Sequence, residues 1–420
     1  MAKRTKYKGI KMINSLRGMR DFLDNDGALY EHVVGVCAKV AQNFGFAFIE
    51  TPKLEETALF RRSVGESSDI VGKEMYEFSD KGGESICLRP EGTAGVVRAF
   101  LQAKLDKTGG IKRWFYHGSM FRYERPQRGR QREFHQFGIE CFGISDARED
   151  AAIIILAKRI LDELGIKATL KLNSLGNKES MSEFKTKLAS YAKSCANNLC
   201  EDCARRINTN ILRILDCKNE KCQALLKDAP SVLDSLDTQC KKDFELVQNL
   251  LKNAGVEYEL DDRLVRGLDY YSKTAFEFVS DEIGAKAAVI GGGRYDGLIS
   301  ELGGKPTPAV GWAMGIERIM EILGAKKSIA QRDGIYLCAL EPTFIDEIFA
   351  LGCELRKTHK VEISYEAKAP AKHLSLADKK GAKVFLCLGS DEKAKGEIWY
   401  KNLENKSEKR IKISELKGAL

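Results

Sequence analysis

The sequence predicts a mixed α+β protein: a body built on antiparallel strands, a mostly helical insertion, and a small α/β domain at the end of the chain. Three observations carry this. The chain has 420 residues and a mass of 46.9 kDa, more than one hydrophobic core accommodates, so two or three domains are expected. Two apolar-aromatic segments, Arg113–Tyr123 and Glu133–Phe142, flank Pro126, Gln127, Arg128, Gly129 and Arg130. That is the pattern of two antiparallel strands joined by a long basic loop. Near the C-terminus, short apolar runs alternate with helical periodicity, which indicates an α/β unit.

Taken in order, Leu29, Val33, Val36, Cys37, Val40 and Phe44 recur at helical steps and predict a helix over Ala28–Phe44. Gly45 ends it, and Phe46–Glu50 reads as a strand stopped by Pro52. Ser145 or Asp146 caps a helix that runs through Leu164 to Gly165. Residues 172–260 change composition, becoming rich in Lys, Asp, Asn and Cys, and read as mostly helical with one strand-like piece at best. Strand signals return at Thr274–Val279 and Ala287–Ile290, then come Gly291–Gly293 and a helix over Ala313–Leu323. In the tail, Ile335–Leu340, Val361–Tyr365 and Val384–Leu388 read as strands, with helices over Thr343–Thr358 and Ala371–Lys380. The expected division is 1–171 and 261–325 for the body, 172–260 for the insertion and 331–420 for the tail.

Hydrophobic content of 43% and charged content of 30% describe a globular chain and exclude wholesale disorder. No apolar run approaches the roughly 20 residues that span a bilayer. Met1–Met12 carries five lysines and arginines with no apolar stretch behind them, so it is not read as a secretory signal. A soluble, cytoplasmic protein without a membrane partner is expected. Twelve cysteines in such a setting are expected to be reduced or metal-bound.

The net charge of +8 permits a polyanionic partner without requiring one. Its distribution says more: Lys112–Arg132 holds seven basic residues against Glu124 alone, a local +6. Several catalytic routes are missing. There is no Gly-Lys-Ser/Thr phosphate loop, no paired-histidine metal motif and no Gly-x-Ser-x-Gly elbow. Gly291-Gly292-Gly293 lacks the third glycine of a dinucleotide fingerprint and reads by itself as a tight turn. Polar residues stand instead where a strand would carry apolar ones. Phe134, Gln136, Gly138 and Glu140 share one face of the returning strand, while His135, Phe137 and Ile139 share the other. A face of that composition is a poor core and a good ligand platform.

Beside these stand Leu88-Arg89-Pro90-Glu91-Gly92-Thr93-Ala94-Gly95, Val265-Arg266-Gly267-Leu268-Asp269-Tyr270-Tyr271 and Gly311-Trp312-Ala313-Met314-Gly315-Ile316-Glu317-Arg318. Together the segments resemble the histidyl-tRNA synthetase family of the class II aminoacyl-tRNA synthetases, over nearly the whole chain. Phe121–Glu140 resembles the second class-defining motif, Ala309–Arg318 the third, and the helix and strand ending at Pro52 the first, which lies at a dimer interface in this class. The resemblance implies an antiparallel-sheet catalytic domain, a helical insertion and an α/β anticodon-binding domain in a homodimer.

It also implies a reaction and roles. L-Histidine and ATP with Mg2+ give a histidyl-adenylate and pyrophosphate, after which the histidyl group passes to tRNA(His) and AMP is released. Arg122 and Arg266 become the catalytic pair, gripping α-phosphate and histidine carboxylate from two sides; guanidinium stays charged and holds two oxygens at once. Adenine is expected between Phe134 and Arg318 with Glu124 near its amino group, and Arg130 on the outer phosphates. Glu91, Gly92, Thr93 and Gln136 are assigned to the α-ammonium end of histidine. Glu140 and Tyr271 are assigned to its imidazole, with Tyr270 and Tyr295 lining the pocket, because a donor and an acceptor nitrogen need complementary partners. Arg125, Gln127 and Arg128 are assigned to the tRNA acceptor end. In 331–420, 17 basic residues face 14 acidic ones, a surplus too small to establish RNA binding by itself.

Cys200-x-x-Cys203 and, thirteen residues on, Cys217-x4-Cys222 have spacings near those of structural zinc sites. The resemblance requires no metal there and the insertion has no histidine, so reduced structural thiols are the preferred reading and zinc the second. Synthetase-like chains also serve as regulatory subunits of ATP phosphoribosyltransferase. Those tend to lack the tail domain and the Arg266–Tyr271 signature, and both are present here. A class II enzyme for proline, threonine or glycine is disfavoured by the same signature and by Glu140.

Overall fold

The computed structural model describes residues 13–65, 68, 70–127, 129–215, 217, 219–265, 268, 270–282, 287–325 and 332–420. The chain divides into two compact units, Met1–Ala325 and Lys326–Leu420. In the first, eight strands form one sheet: β1 (Ala47–Phe48), β2 (Lys112–Phe121), β3 (Glu133–Phe142), β4 (Thr169–Ser174), β5 (Glu259–Leu260), β6 (Ser272–Ser280), β7 (Ala287–Arg294) and β8 (Ala309–Gly315). Their order is β1-β2-β3-β8-β7-β6-β4-β5. The six central strands pair antiparallel throughout, and the short edge strands β1 and β5 pair parallel.

One face of this sheet is buried under helices. Helix α1 (Asn25–Asn43) contributes Val33, Cys37, Val40 and Ala41 at three- and four-residue steps. Helix α2 (Thr93–Gln102) opens beside the platform strands. Helix α3 (Ala147–Glu163) begins where the Asp146 side chain accepts the amide of Arg148, and Ile153, Ile154, Leu156, Ala157, Ile160 and Leu161 face the core. The first turn of α3 is pinned to the sheet by charge. Arg113 of β2 grips Glu149 through two bonds of 2.8 Å, and the fully buried Arg294 of β7 pairs with Asp150. Carboxylates also suit the positive end of a helix.

Four expectations are corrected here. The strand after α1 is limited to Ala47–Phe48. Gly291–Gly293 lies inside β7 rather than in a turn: a side chain at Gly292 would strike Gly311 and Trp312 of β8, and one at Gly293 would strike the Thr274 carbonyl of β6. The helix read from Ala313 begins at Ile316, because Val310, Trp312 and Met314 alternate into the core as strand residues. The stretch 172–260 is not wholly insertion. Strand β4 runs through Ser174, β5 returns to its side, and Phe244, Val247 and Leu251 of α7 (Thr238–Asn253) lie in the body's core. A separate cluster around Phe184, Leu188, Ile211 and Ile214 holds α4 (Lys178–Ser194), α5 (Glu201–Thr209) and α6 (Glu220–Leu225) together.

The second unit is a five-stranded sheet of β9 (Ile335–Ala339), β10 (Val361–Ile363), β11 (Val384–Leu388), β12 (Glu397–Asn402) and β13 (Glu408–Lys412), ordered β10-β9-β11-β12-β13. Strands β9, β10 and β11 are parallel and joined through α9 (Ile345–Leu355) and α10 (Pro370–Lys379). The β12–β13 hairpin adds an antiparallel edge that the sequence reading did not extend to. Among the described residues no helix is long and apolar enough to cross a membrane.

Candidate active site

The opposite face of the large sheet, where Tyr116, Met120 and Phe142 pack against Val96, Val97 and Phe100 of α2, carries a cavity of about 410 Å³. Its lining includes Glu91, Thr93, Arg122, Glu124, Arg130, Phe134, Gln136, Tyr270, Tyr271 and Arg318. Ten of the residues singled out from the sequence therefore meet in one place, although they come from four separate stretches of chain. Strand alternation explains the convergence. Phe134 and Gln136 face the cavity, whereas Phe137 and Ile139 are buried in the opposite core.

Behind Thr93 of the lining, and not itself lining the cavity, Glu140 is 0% exposed and held by three hydroxyls. Thr93 Oγ1 donates to its Oε1 at 2.7 Å, Tyr116 OH donates at 3.3 Å, and Tyr295 OH donates to Oε2. Burial pushes the carboxyl up to about 8, outweighing the three hydroxyl bonds. Glycine is required around it: a Cβ on Gly138 would stand 2.4 Å from the Tyr116 ring, and one on Gly311 would stand 2.0 Å from Glu140 Oε2. Gly92, at the N-cap of α2, meets the other side of the same tyrosine. Glu91 accepts the amides of Thr93 at 2.7 Å and Ala94 at 2.9 Å, and burial raises its pKa too. Tyr270, Tyr271 and Tyr295 form an aromatic wall with centroid separations of 4.7 to 6.4 Å. The buried Oε1 of Gln136, a residue of the cavity lining, has no hydrogen-bond partner.

The open end is cationic. Arg122 donates from Nε to Pro90 O at 2.9 Å and lies 5.2 Å from the Phe134 ring centroid. Arg318 donates to the backbone carbonyls of Gly129 and Ala288 from α8 (Ile316–Ala325). Burial lowers its pKa, and neighbouring Arg130 and Arg122 lower it further. Three guanidiniums close enough to oppose one another, with Glu124 bound to Arg130 at 3.2 Å, make a seat for a polyanion.

The basic loop is only partly in the cavity. Gln127 and Arg130 pair through their backbones around Gly129, which has φ +68°. Arg125 and Gln127 are exposed and do not line the cavity. Arg128 and Arg266 lie outside the described residues. Two contributors were missed from sequence. Tyr116 sits opposite Gly138 in the strand register, and Glu277 lines the cavity between the buried Phe276 and Phe278. Alternation along β6 would have placed Glu277; nothing in the sequence singled out Tyr116.

An antiparallel sheet whose cavity is lined by clustered arginines and the buried Glu91 carboxylate fits a class II aminoacyl-tRNA synthetase. Residues 18–319 match the family described as histidyl-tRNA synthetase, and residues 335–420 match an anticodon binding domain. The histidine–tRNA ligase of Campylobacter fetus is 64% identical over 409 residues, covering 97% of this chain and 100% of the relative. That of Campylobacter lari is 59% identical with the same coverage. Apo histidyl-tRNA synthetase from S. aureus has a TM-score of 0.79 at 30% identity, covering 97% of this chain and 99% of that one. The chain belongs to the histidyl-tRNA synthetase family.

Proposed function

We infer that this chain ligates L-histidine to tRNA(His) in two steps at the described cavity. In the first, a carboxylate oxygen of histidine attacks the α-phosphorus of ATP, the bond to the bridging oxygen breaks, and pyrophosphate leaves. In the second, a hydroxyl of the terminal tRNA ribose attacks the activated carbonyl, gives up its proton, and AMP departs. Mg2+ enters as the counter-ion of the triphosphate and offsets its charge.

The observation that carries this reading is the cavity shared by the buried Glu91 carboxylate and three arginines, with Glu140 behind Thr93. Two anions must approach in the first step, so Arg122 is assigned to the reacting carboxylate and α-phosphate, with Arg266 opposite it by family resemblance. Arg130 serves the outer phosphates. Phe134, Arg318 and Glu124 hold adenine. The unpartnered Gln136 oxygen, Glu91 and Thr93 take the α-ammonium, a cation that acceptors read well. Glu140, Tyr270, Tyr271 and Tyr295 take the imidazole. The test is ATP–pyrophosphate exchange with each amino acid in turn. Histidine alone is expected to support it; exchange with proline or threonine and not with histidine overturns the assignment.

The tRNA contacts and assembly are part of the same proposal. Arg125, Gln127 and Arg128 meet the acceptor end, and 331–420 takes the anticodon; this tail also disfavours the regulatory-subunit reading. The chain works in the cytoplasm as a homodimer. Supporting the dimer, Phe48 on edge strand β1 is 49% exposed, and Leu16 and Leu23 are each 70% exposed. Light scattering after gel filtration is expected to give twice 46.9 kDa; a monomer at micromolar concentration contradicts it.

A further inference from the structure

The insertion holds a cluster that the ligase reaction does not use. Cys200 stands at the N-cap of α5, Cys203 in its first turn and Cys222 in α6, with Cys217 between the two helices. Their four Sγ atoms all lie within 4.8 Å of one another. Among the described residues this is the only group of three or more cysteine, histidine or carboxylate ligands that converges so closely. The Sγ atoms of Cys200 and Cys217 are 3.8 Å apart, nearly twice the roughly 2.05 Å of a disulfide. It is instead the edge of a tetrahedron whose centre is about 2.3 Å from each corner, the zinc–sulfur distance.

The surroundings fit thiolates. The Cys200 amide donates to Cys222 Sγ at 3.2 Å, a bond that a charged sulfur accepts better than a neutral one. The Gln223 side-chain amide donates to Cys217 O at 3.1 Å and braces that turn. Cys203, Cys217 and Cys222 are buried and Cys200 is partly exposed, which leaves an approach from solvent. Apolar packing alone asks only for small side chains here, not for four sulfurs about a common centre.

We propose that Cys200, Cys203, Cys217 and Cys222 bind one Zn2+ as a closed tetrathiolate. Four sulfur–zinc bonds form, the displaced thiol protons pass to solvent, and nothing is oxidised or reduced. Four soft protein ligands select zinc over magnesium and leave no position for substrate, so the ion is structural. It ties α5 to α6 where the helices are only nine and six residues long. Convergence of the sulfurs outweighs the preference for reduced thiols that the family resemblance and the lack of histidine suggested.

Metal analysis of the full chain, purified without chelator, is expected to find one zinc per chain. Cys222→Ser should retain less than a tenth of it, and Cys195→Ser, altered outside the cluster, should retain all. Because Cys222→Ser alone risks misfolding, wild-type protein is also stripped and loaded anaerobically with Co2+. Sulfur-to-cobalt charge-transfer absorption with tetrahedral visible bands is the expected result. Folded wild-type protein that holds less than a tenth of a zinc per chain, both as purified and after anaerobic incubation with ZnCl2, overturns the proposal. Full zinc retention by folded Cys222→Ser does the same.

Discussion

Replacing Arg122 by alanine is expected to lower ATP–pyrophosphate exchange about 10³-fold while changing the KM for histidine by about tenfold or less. The reason lies in when the charge is needed. Removing one preorganised donor from a site of developing charge costs about 3–4 kcal/mol in the transition state. Ground-state binding of histidine retains Glu91, Gln136 and the Glu140 pocket, which line or close the cavity independently of this arginine. Arg122→Lys should recover little, because a lysine has no planar fork to donate to Pro90 O while facing two further oxygens. The check is steady-state exchange kinetics with histidine and ATP varied separately. Equal losses in kcat and histidine affinity would place Arg122 in ground-state binding instead.

Glu140→Gln has the second large effect, and it reads out twice. The variant should raise the KM for histidine by about 10²–10³-fold, the usual cost of truncating or neutralising one partner of a buried hydrogen-bonded pair. The ligand-free protein offers a measurement that does not involve catalysis. The Glu140 carboxyl lies at about 8 when folded, against an ordinary 4.5. A raised folded pKa means that the native state holds the proton more tightly than the unfolded chain. Its stabilising contribution is complete below about pH 4.5 and is lost as pH rises toward 8. Glutamine cannot ionise, so the variant should gain thermal stability relative to the parent as pH rises through that window. Melting curves of both proteins across this range check it; parallel pH profiles would mean that Glu140 is ionised in the empty pocket.

How much of this was legible in advance depended on the period of the pattern. The helix over Asn25–Asn43 and the paired strands around the basic loop were readable because one clear apolar period runs through each. The change of period inside residues 309–325 was misread, since Val310, Trp312 and Met314 satisfy a strand while Ile316, Ile319, Met320 and Leu323 satisfy a helix. Glycines misled for a different reason. Gly292 and Gly293 avoid a collision with the neighbouring strands, a tertiary fact that local turn chemistry does not contain. Within the site, charged and aromatic residues on strand faces were conspicuous. Tyr116 was not, because a tyrosine on a strand is ordinary until the glycine opposite it is known. The unforeseen reach of α7 into the body's core has the same origin, since its amphipathic face does not say which core it joins.

The pairing of β3 with β8 brings Phe142 beside Ala309 and Glu140 beside Gly311. During synthesis, β3 therefore leaves the ribosome long before its neighbour exists. The β2–β3 hairpin must wait with an open edge while the insertion and four further strands, β4 to β7, are made, and closing so long a loop is slow. An open edge is a template for wrong pairing. Aggregation during expression, and rescue by slower translation or by chaperones that shield strands, should accordingly be sensitive to changes at this seam. A nascent chain cut short before residue 315 cannot complete the pairing that sets Gly311 against Glu140.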